Sequence, residues 1–350
     1  MSKMPLKPLT TLGLAVLLGM PLAFHPADAA EDFYKGKTFT VLVGLAAGAG
    51  TDLDARVISR YMVKYLPGQP ALVVQNMPGA GGLAVTNHLY SVAPKDGTVV
   101  AVTQRGVATV PLFAPDTATF DVTKFNWIGS RSGEVSLGAV WHTVPIASIR
   151  DVLTRETVVG STGGGADTHM IPIIFNATLG TRFKVVSGYA GGSEINVAIE
   201  RGEVEGRLGW SYNAMISTKA DWMRDKKIKI VSQLSLERHP LLPDVPIALD
   251  LATDDTKRQA LRIFAARQEI GFPMIAPPDL PAERVDQLRR AFDAAMKDPE
   301  YLKEAEKMQV DVDPRPGERL QQLVAEINRT PRAVVDSARA LLKAQGVELQ

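Results

Sequence analysis

The sequence predicts an α/β protein of two domains. Three observations carry that expectation. Short β-branched runs alternate with single helical runs, which is the pattern of a parallel sheet with crossover helices. Past an N-terminal export signal, about 320 residues remain, more than one hydrophobic core usually organises. Glycine-rich turns stand between strand and helix again and again, where an α/β sheet forms its ligand crevice.

Taken in order, residues 1–29 read as a secretory signal peptide. Lys3 and Lys7 give the positive start, Leu12–Phe24 the apolar stretch, and Ala27-Asp28-Ala29 the small-x-small cleavage site, so cleavage is expected near Ala29. The apolar stretch is too short to span a hydrocarbon core of ~30 Å comfortably. Lys37–Leu45 then reads as a buried strand, and Thr51–Tyr65 as a helix with Leu53, Val57, Ile58 and Met62 on its apolar face. Ala71–Gln75 is a second strand, Gly82–Ala93 a helix and Thr98–Thr103 a third strand. The middle of the chain repeats this: strand Thr157–Gly160, helix Thr168–Leu179, strand Phe183–Val186, helix Ser193–Arg201, then strands Glu205–Gly209 and Lys227–Gln233. Pro240–Pro246 is a rigid loop, because each proline fixes φ and lacks a donor. The C-terminal part is helical over Pro281–Lys297, Pro299–Met308, Gly317–Asn328 and Thr330–Ala344.

Composition narrows the chemistry. The chain holds no cysteine, which excludes thiol catalysis, cysteine zinc sites and iron–sulfur clusters. Its 39 Lys+Arg and 38 Asp+Glu become 37 and 37 once Lys3, Lys7 and Asp28 leave with the signal, so nothing favours nucleic acid or an acidic membrane. The four histidines past the signal, His88, His142, His169 and His239, form no i,i+4 metal pair. Gly209-Trp210-Ser211 does not continue into a nucleophile elbow. Neither a cofactor nor a metal is expected, and the chain does not read as an enzyme.

Four glycine loops carry the functional expectation: Ala47–Asp52, Pro78–Gly82, Gly163–Thr168 and Gly188–Ser193. Glycine lets a ligand approach the backbone amides, and the helix that follows offers free N–H groups and a partial positive charge. Such loops hold anions without lysine or arginine. Thr51, Asp167 and Ser193 also suit the simpler role of helix caps. Gly79-Ala80-Gly81-Gly82-Leu83-Ala84 fits a dinucleotide fingerprint, with Gln104-Arg105 placed to meet a 2′-phosphate, so an NADP-dependent oxidoreductase is the enzyme alternative. His169 stands just inside a helix, as a ligand cap or a structural histidine; Trp210 and Tyr212 stand where a strand should end, as cleft wall or core.

These segments, in this order, resemble the substrate-binding receptors of tripartite tricarboxylate transporters, the Bug family. Lys37–Asp52 resembles that family's first strand and ligand loop, Val74–Gly82 its V-E-N-R-P-G-A-G-G segment, and Ala93–Thr98 its A-P-D-G-Y-T. Gly160–His169 is similar to its second-domain loop ending in Thr-His, Glu237–Pro246 to its E-R-S-P-x-L-P-D-V-P, and Gly271–Leu288 to its return to the first domain. Gly44-Leu45 stands where the family has Pro-Phe, Ala49 where it has a glycine, and Ala190 where Tyr189-Ala190-Gly191-Gly192 would carry a cation, a charge that Arg105 can supply instead.

The resemblance implies a Venus-flytrap periplasmic-binding-protein architecture with a ligand cleft between the domains. Domain 1 would comprise residues 30–136 and 268–350, and domain 2 residues 137–267. It implies a monomeric receptor in the periplasm that captures a di- or tricarboxylate, amino acid or aromatic acid and delivers it to permease subunits. A ligand-sensing partner of a membrane kinase is the other alternative. The ligand contacts expected are Gly48, Ala49, Gly50, Thr51, Asp52 and Arg105 on one side, and Gly164, Gly165, Ala166, Asp167, Thr168, His169, Tyr189 and Gly191 on the other. Asp52 and Asp167 would cap helices, orient water, or accept from an amine or hydroxyl of the ligand.

Overall fold

A computed structural model of the chain describes residue 1 and residues 33–45, 47–48, 50–79, 82–162, 166–189, 191–308, 310–344 and 346. The export signal therefore lies outside the described residues, as do Ala49, Gly164 and Gly165 of the expected site. The described strands are β1 (Thr38–Val43), β2 (Ala71–Asn76), β3 (Val99–Val102), β4 (Asn126–Ser130), β5 (Ser136–Trp141), β6 (Thr157–Ser161), β7 (Phe183–Ser187), β8 (Gly206–Ser211), β9 (Ile228–Leu234), β10 (Pro273–Ala276) and β11 (Arg315–Pro316). The helices of nine residues or more are α1 (Gly50–Tyr65), α2 (Leu83–Ser91), α3 (Asp167–Leu179), α4 (Gly192–Glu200), α5 (Tyr212–Arg224), α6 (Asp255–Gln268), α7 (Ala282–Ala295), α8 (Pro299–Lys307), α9 (Gly317–Asn328) and α10 (Arg332–Ala344).

The strands form two sheets. The first has the order β11-β4-β10-β3-β1-β2 and the second β7-β6-β8-β5-β9. The expected parallel pairing is present in the heart of each: β2, β1 and β3 run parallel, as do β7, β6 and β8. Each sheet also takes a reversed strand, β10 against β3 and β4 in the first, β5 against β8 and β9 in the second. Both reversed strands follow a passage of the chain from one sheet to the other, at residues 131–135 and 269–272. A helical crossover returns a strand parallel; a strand arriving directly from a neighbouring lobe is free of that constraint.

Strand alternation builds a core on both faces of each sheet. In the first, Phe39, Val41 and Val43 of β1 face Ile58 and Met62 of α1 and Leu288 and Phe292 of α7, while Leu42 faces Val85 and Leu89 of α2 and Leu320 of α9. In the second, Val159 and Leu208 pack with Ile171, Ile174 and Phe175 of α3, and Trp210 packs with Ile195 of α4 and Trp222 of α5. Each such side chain contributes about 1.5–3 kcal/mol on leaving water. The buried stripe of α1 runs through Ala55, Ile58, Tyr61 and Met62, and Leu53 instead lies 48% exposed. The last helix, α10, places Leu342 in the core of the second sheet and packs beside α3 and α6.

The two passages are pinned to each other. The Glu134 amide donates to the Gln268 carbonyl at 2.9 Å, and Ser132 bridges Asp313. Gly271, at φ +59°, has no room for a side chain: a Cβ there would run into the Ser132 carbonyl.

Candidate functional site

Asp52 sits in the first turn of α1, buried, and binds its own surroundings. It accepts from the Gly48 amide at 2.9 Å, from Arg56 Nε at 3.1 Å on both oxygens, and from Asn76 Nδ2 at 2.7 Å. Asn76 in turn accepts from Arg56 Nη2 at 2.8 Å and donates to the Leu45 carbonyl at 2.9 Å. Burial alone would raise the Asp52 carboxyl, but the bonds from Arg56, Gly48 and Asn76 outweigh it and hold the group below its ordinary range. The carboxylate thereby ties the loop after β1 to the end of β2.

Asp167 opens α3 behind the extended residue Ala166. Its partners come from far along the chain. Arg105, in the turn after β3, donates to Oδ2 from Nη2 at 2.7 Å and from Nε at 3.1 Å. Arg267, at the end of α6, pairs with Oδ1, and Gln268 Nε2 donates to Oδ2 at 3.3 Å. Arg105 follows a first-sheet strand and Asp167 a second-sheet strand, so this pair joins the two lobes. Burial would raise the Asp167 carboxyl; Arg267 and Arg105 overcome it and hold the group well below the usual carboxylate range. Two buried arginine atoms of this cluster, Arg105 Nη1 and Arg267 Nε, have no hydrogen-bond partner among the described residues. The close approach depends on Gly209 of β8, at φ +69°: a Cβ there would strike the Asp167 backbone.

The remaining expected contacts fall into place around these two centres. Gly50 and Thr51 begin α1, and Gly48 turns at φ +81°. The buried Thr168 hydroxyl accepts from the Thr162 amide at 3.1 Å, closing the ends of the glycine loop. His169 bonds Ser187 Oγ through Nδ1 at 3.1 Å, and its partial burial lowers its pKa. Tyr189 packs over Gly160, and Gly191 is the extended residue before α4. Trp210 is core, whereas Tyr212 stacks on His239 with centroids 4.0 Å apart. Arg105, which the sequence offered as a 2′-phosphate partner, is committed to Asp167.

Two adjoining cavities lie between the sheets. One of about 160 Å³ is lined by Gln104, Arg105 and Gly106 from the first lobe and by Ala166, Asp167 and Arg267 opposite. It shares Arg105 and Phe272 with a second, of about 250 Å³, that reaches Asp54, Arg131, Glu134 and Ser211. Arg105, Ala166 and Asp167 are thus brought together, while of the described residues in the first loop neither Gly48 nor Asp52 lines either cavity; α1 contributes Asp54 instead. Sequence reading missed Arg131, Glu134, Arg267 and Gln268. The available signal was their position: Arg131 and Glu134 lie where the chain passes between the sheets, and Arg267 and Gln268 close α6 just before it returns. Among the described residues no group of three or more His, Asp or Glu side chains suits a metal ion, and no helix is long and apolar enough to cross a membrane.

Two α/β lobes with a polar cleft at the C-terminal ends of their parallel strands define the class of the bilobal binding proteins. The chain belongs, more narrowly, to the tripartite tricarboxylate transporter family receptors, whose family model matches residues 54–339. It is 25% identical over 338 residues to the UPF0065 protein in the gbd 5′ region of Cupriavidus necator, covering 95% of this chain and 96% of that one. Among solved structures, a TctC solute binding protein from Polaromonas is similar at a TM-score of 0.66 and 18% identity, over 87% of this chain and 99% of that one. MatC of Rhodopseudomonas palustris, solved with bound malate, is similar at a TM-score of 0.60 and 22% identity, over 87% and 99%. These likenesses bear out the two-lobed α/β architecture and the family that the sequence resembles.

Proposed function

We propose that this protein is a periplasmic receptor that closes over a small carboxylate and delivers it to the permease subunits of a tripartite transporter. The observation that carries it is the interlobe cleft, with arginines on its walls and the start of α3 opposite, in a chain of the receptor family. In this proposal residues 30–136 with 268–350 belong to one lobe and residues 137–267 to the other, hinged at the two sheet-to-sheet passages, with α10 crossing from the first segment to pack on the core of the second sheet. Residues 1–29 direct export. In this reading the ligand stands against Arg105 and the Gly164–His169 loop, with Tyr189 and Gly191 beside it, and closure brings the Gly48–Asp52 loop over it from the first lobe. Closure is favoured only to the extent that ligand binds the closed form more tightly.

A thermal-shift screen of mono-, di- and tricarboxylates on the mature protein, followed by calorimetry, tests the reading. At least one carboxylate should raise the melting temperature, by mass action on the folded state. Stabilisation only by sugars or by amines lacking a carboxylate overturns it. Fractionation of expressing cells should find the chain in the periplasm, shortened at its N-terminus near Ala29.

A further inference from the structure

The two buried charge groups of the cleft are not alike. Asp167 is bonded by two arginines, which leaves that end with one cation in excess. Arg131 is spent on Asp54, Nε to Oδ2 at 2.8 Å, and on the Asp311 carbonyl. That leaves Glu134. It lies in the first passage between the sheets, is 4% exposed, and lines the 250 Å³ cavity. The Ser211 hydroxyl donates to its Oε2, and among the described residues no cation pairs with it. Arg105, Arg131 and Arg267 therefore match Asp54, Glu134 and Asp167 in number, yet they are unevenly paired: Asp167 takes two of them at ion-pair distance, Asp54 one and Glu134 none, Arg105 and Arg131 acting on Glu134 only from farther off.

Burial penalises a carboxylate kept this deep; the Ser211 bond and the more distant charges of Arg105 and Arg131 offset that only in part, and among the described residues no cation of the protein bonds it directly. An ammonium group supplies that partner: it forms charge-assisted hydrogen bonds and neutralises the carboxylate. We infer that Glu134 and Ser211 form the subsite for a protonated amine, so that the ligand is an amino acid whose carboxylate lies toward the Arg105 end of the cleft. Arg105 Nη1 and Arg267 Nε, buried and without a hydrogen-bond partner among the described residues, belong to the carboxylate end, and Phe272, which lines both cavities, borders the apolar middle of the ligand. This inference rests on the receptor reading and narrows it from carboxylates to zwitterions.

The test is calorimetric titration of the mature protein with matched sets of probes: L-aspartate, L-malate and succinate; L-glutamate and glutarate; L-alanine and propionate. At least one amino acid should bind ten-fold or more tighter than its amine-free and hydroxy counterparts. Glu134→Gln should remove that preference, lowering amino-acid affinity at least ten-fold while leaving any residual binding of the amine-free acid within two-fold. Ser211→Ala, which loosens the Glu134 carboxylate without altering its charge, should weaken the amino acid three- to ten-fold and serves if Glu134→Gln fails to fold. Succinate, glutarate, propionate or malate binding as tightly as its amino partner overturns the ammonium subsite and leaves the receptor reading standing. Unchanged amino-acid binding in both variants does the same. Failure of every probe and of the wider carboxylate screen overturns both.

Discussion

Two aspartates, each in the first turn of a helix behind a glycine loop, do different work. Asp52 is held by the loop it belongs to and by Arg56 one turn later, with Asn76 from the adjacent strand. Asp167 is held by Arg105 and Arg267, which reach it from 62 residues upstream and 100 downstream. The first network is local and half open to water, since the Arg56 side chain is 41% exposed. The second is enclosed and spans the two lobes, its arginine side chains 14% and 9% exposed. The same sequence feature thus fixes a loop in one lobe and fastens the lobes together in the other.

The largest expected difference comes from removing each carboxylate. Asp167→Ala strands two buried arginines and should cost about 3–5 kcal/mol in urea unfolding. Asp52→Ala should cost about 1–2 kcal/mol, because Arg56 and the Gly48 amide turn to water. Equal losses would erase the distinction between the two networks.

A smaller contrast lies in the glycines beneath them. Gly209→Ala meets both a left-handed φ and the Asp167 backbone, and should cost about 2–3 kcal/mol. Gly48→Ala shares the left-handed φ but opens onto free space, and should cost about 1 kcal/mol. Thermal denaturation of the two variants under one buffer ranks them.

Double-mutant cycles sharpen the comparison further. Arg105→Ala with Asp167→Ala should give a coupling of about 1–3 kcal/mol. Arg56→Ala with Asp52→Ala should give about 0.3–1 kcal/mol, as for exposed pairs in a helix. A coupling for Arg105 no larger than that for Arg56 would mean the interlobe pair adds no enclosed contact.

The finest expected effect is in pH. Both carboxyls are held below their ordinary values, so each contributes its full stability above the unfolded carboxyl range of about 4 and loses it as pH falls further. Stability should therefore decline on acidification from about pH 4, by no more than about 1.4 kcal/mol per pH unit for a single group. Asp167→Asn should flatten that slope more than Asp52→Asn.

Much of this arrangement was legible in the chain. β1, α1, β2 and the strand–helix succession from β6 to β8 were readable because period and turn chemistry act between near neighbours. β4, β5, β10 and α6 were not assigned. β10 is a four-residue strand opened by Pro273, too short for alternation to be recognised, and α6 buries Arg267 and Gln268 at an end that reads as surface. The apolar face read for α1 holds at Val57, Ile58 and Met62 and fails at Leu53, because a helix has adjacent apolar rows and only packing selects between them. Within the candidate site, Asp52 and Asp167 were singled out by their loops, but Glu134 gave no signal beyond its place between two strands.

By itself, then, the sequence determined the α/β class, the glycine turns and the identity of the two helix-opening carboxylates, since each follows from interactions over a few residues. Tertiary structure alone decided that β5 and β10 run against their neighbours, that Arg105 and Arg267 converge on Asp167, and that among the described residues no cation pairs with Glu134. Those outcomes depend on which distant segments the fold brings within hydrogen-bond reach, and a charge buried by such an encounter carries no mark of it in its own neighbourhood of the chain.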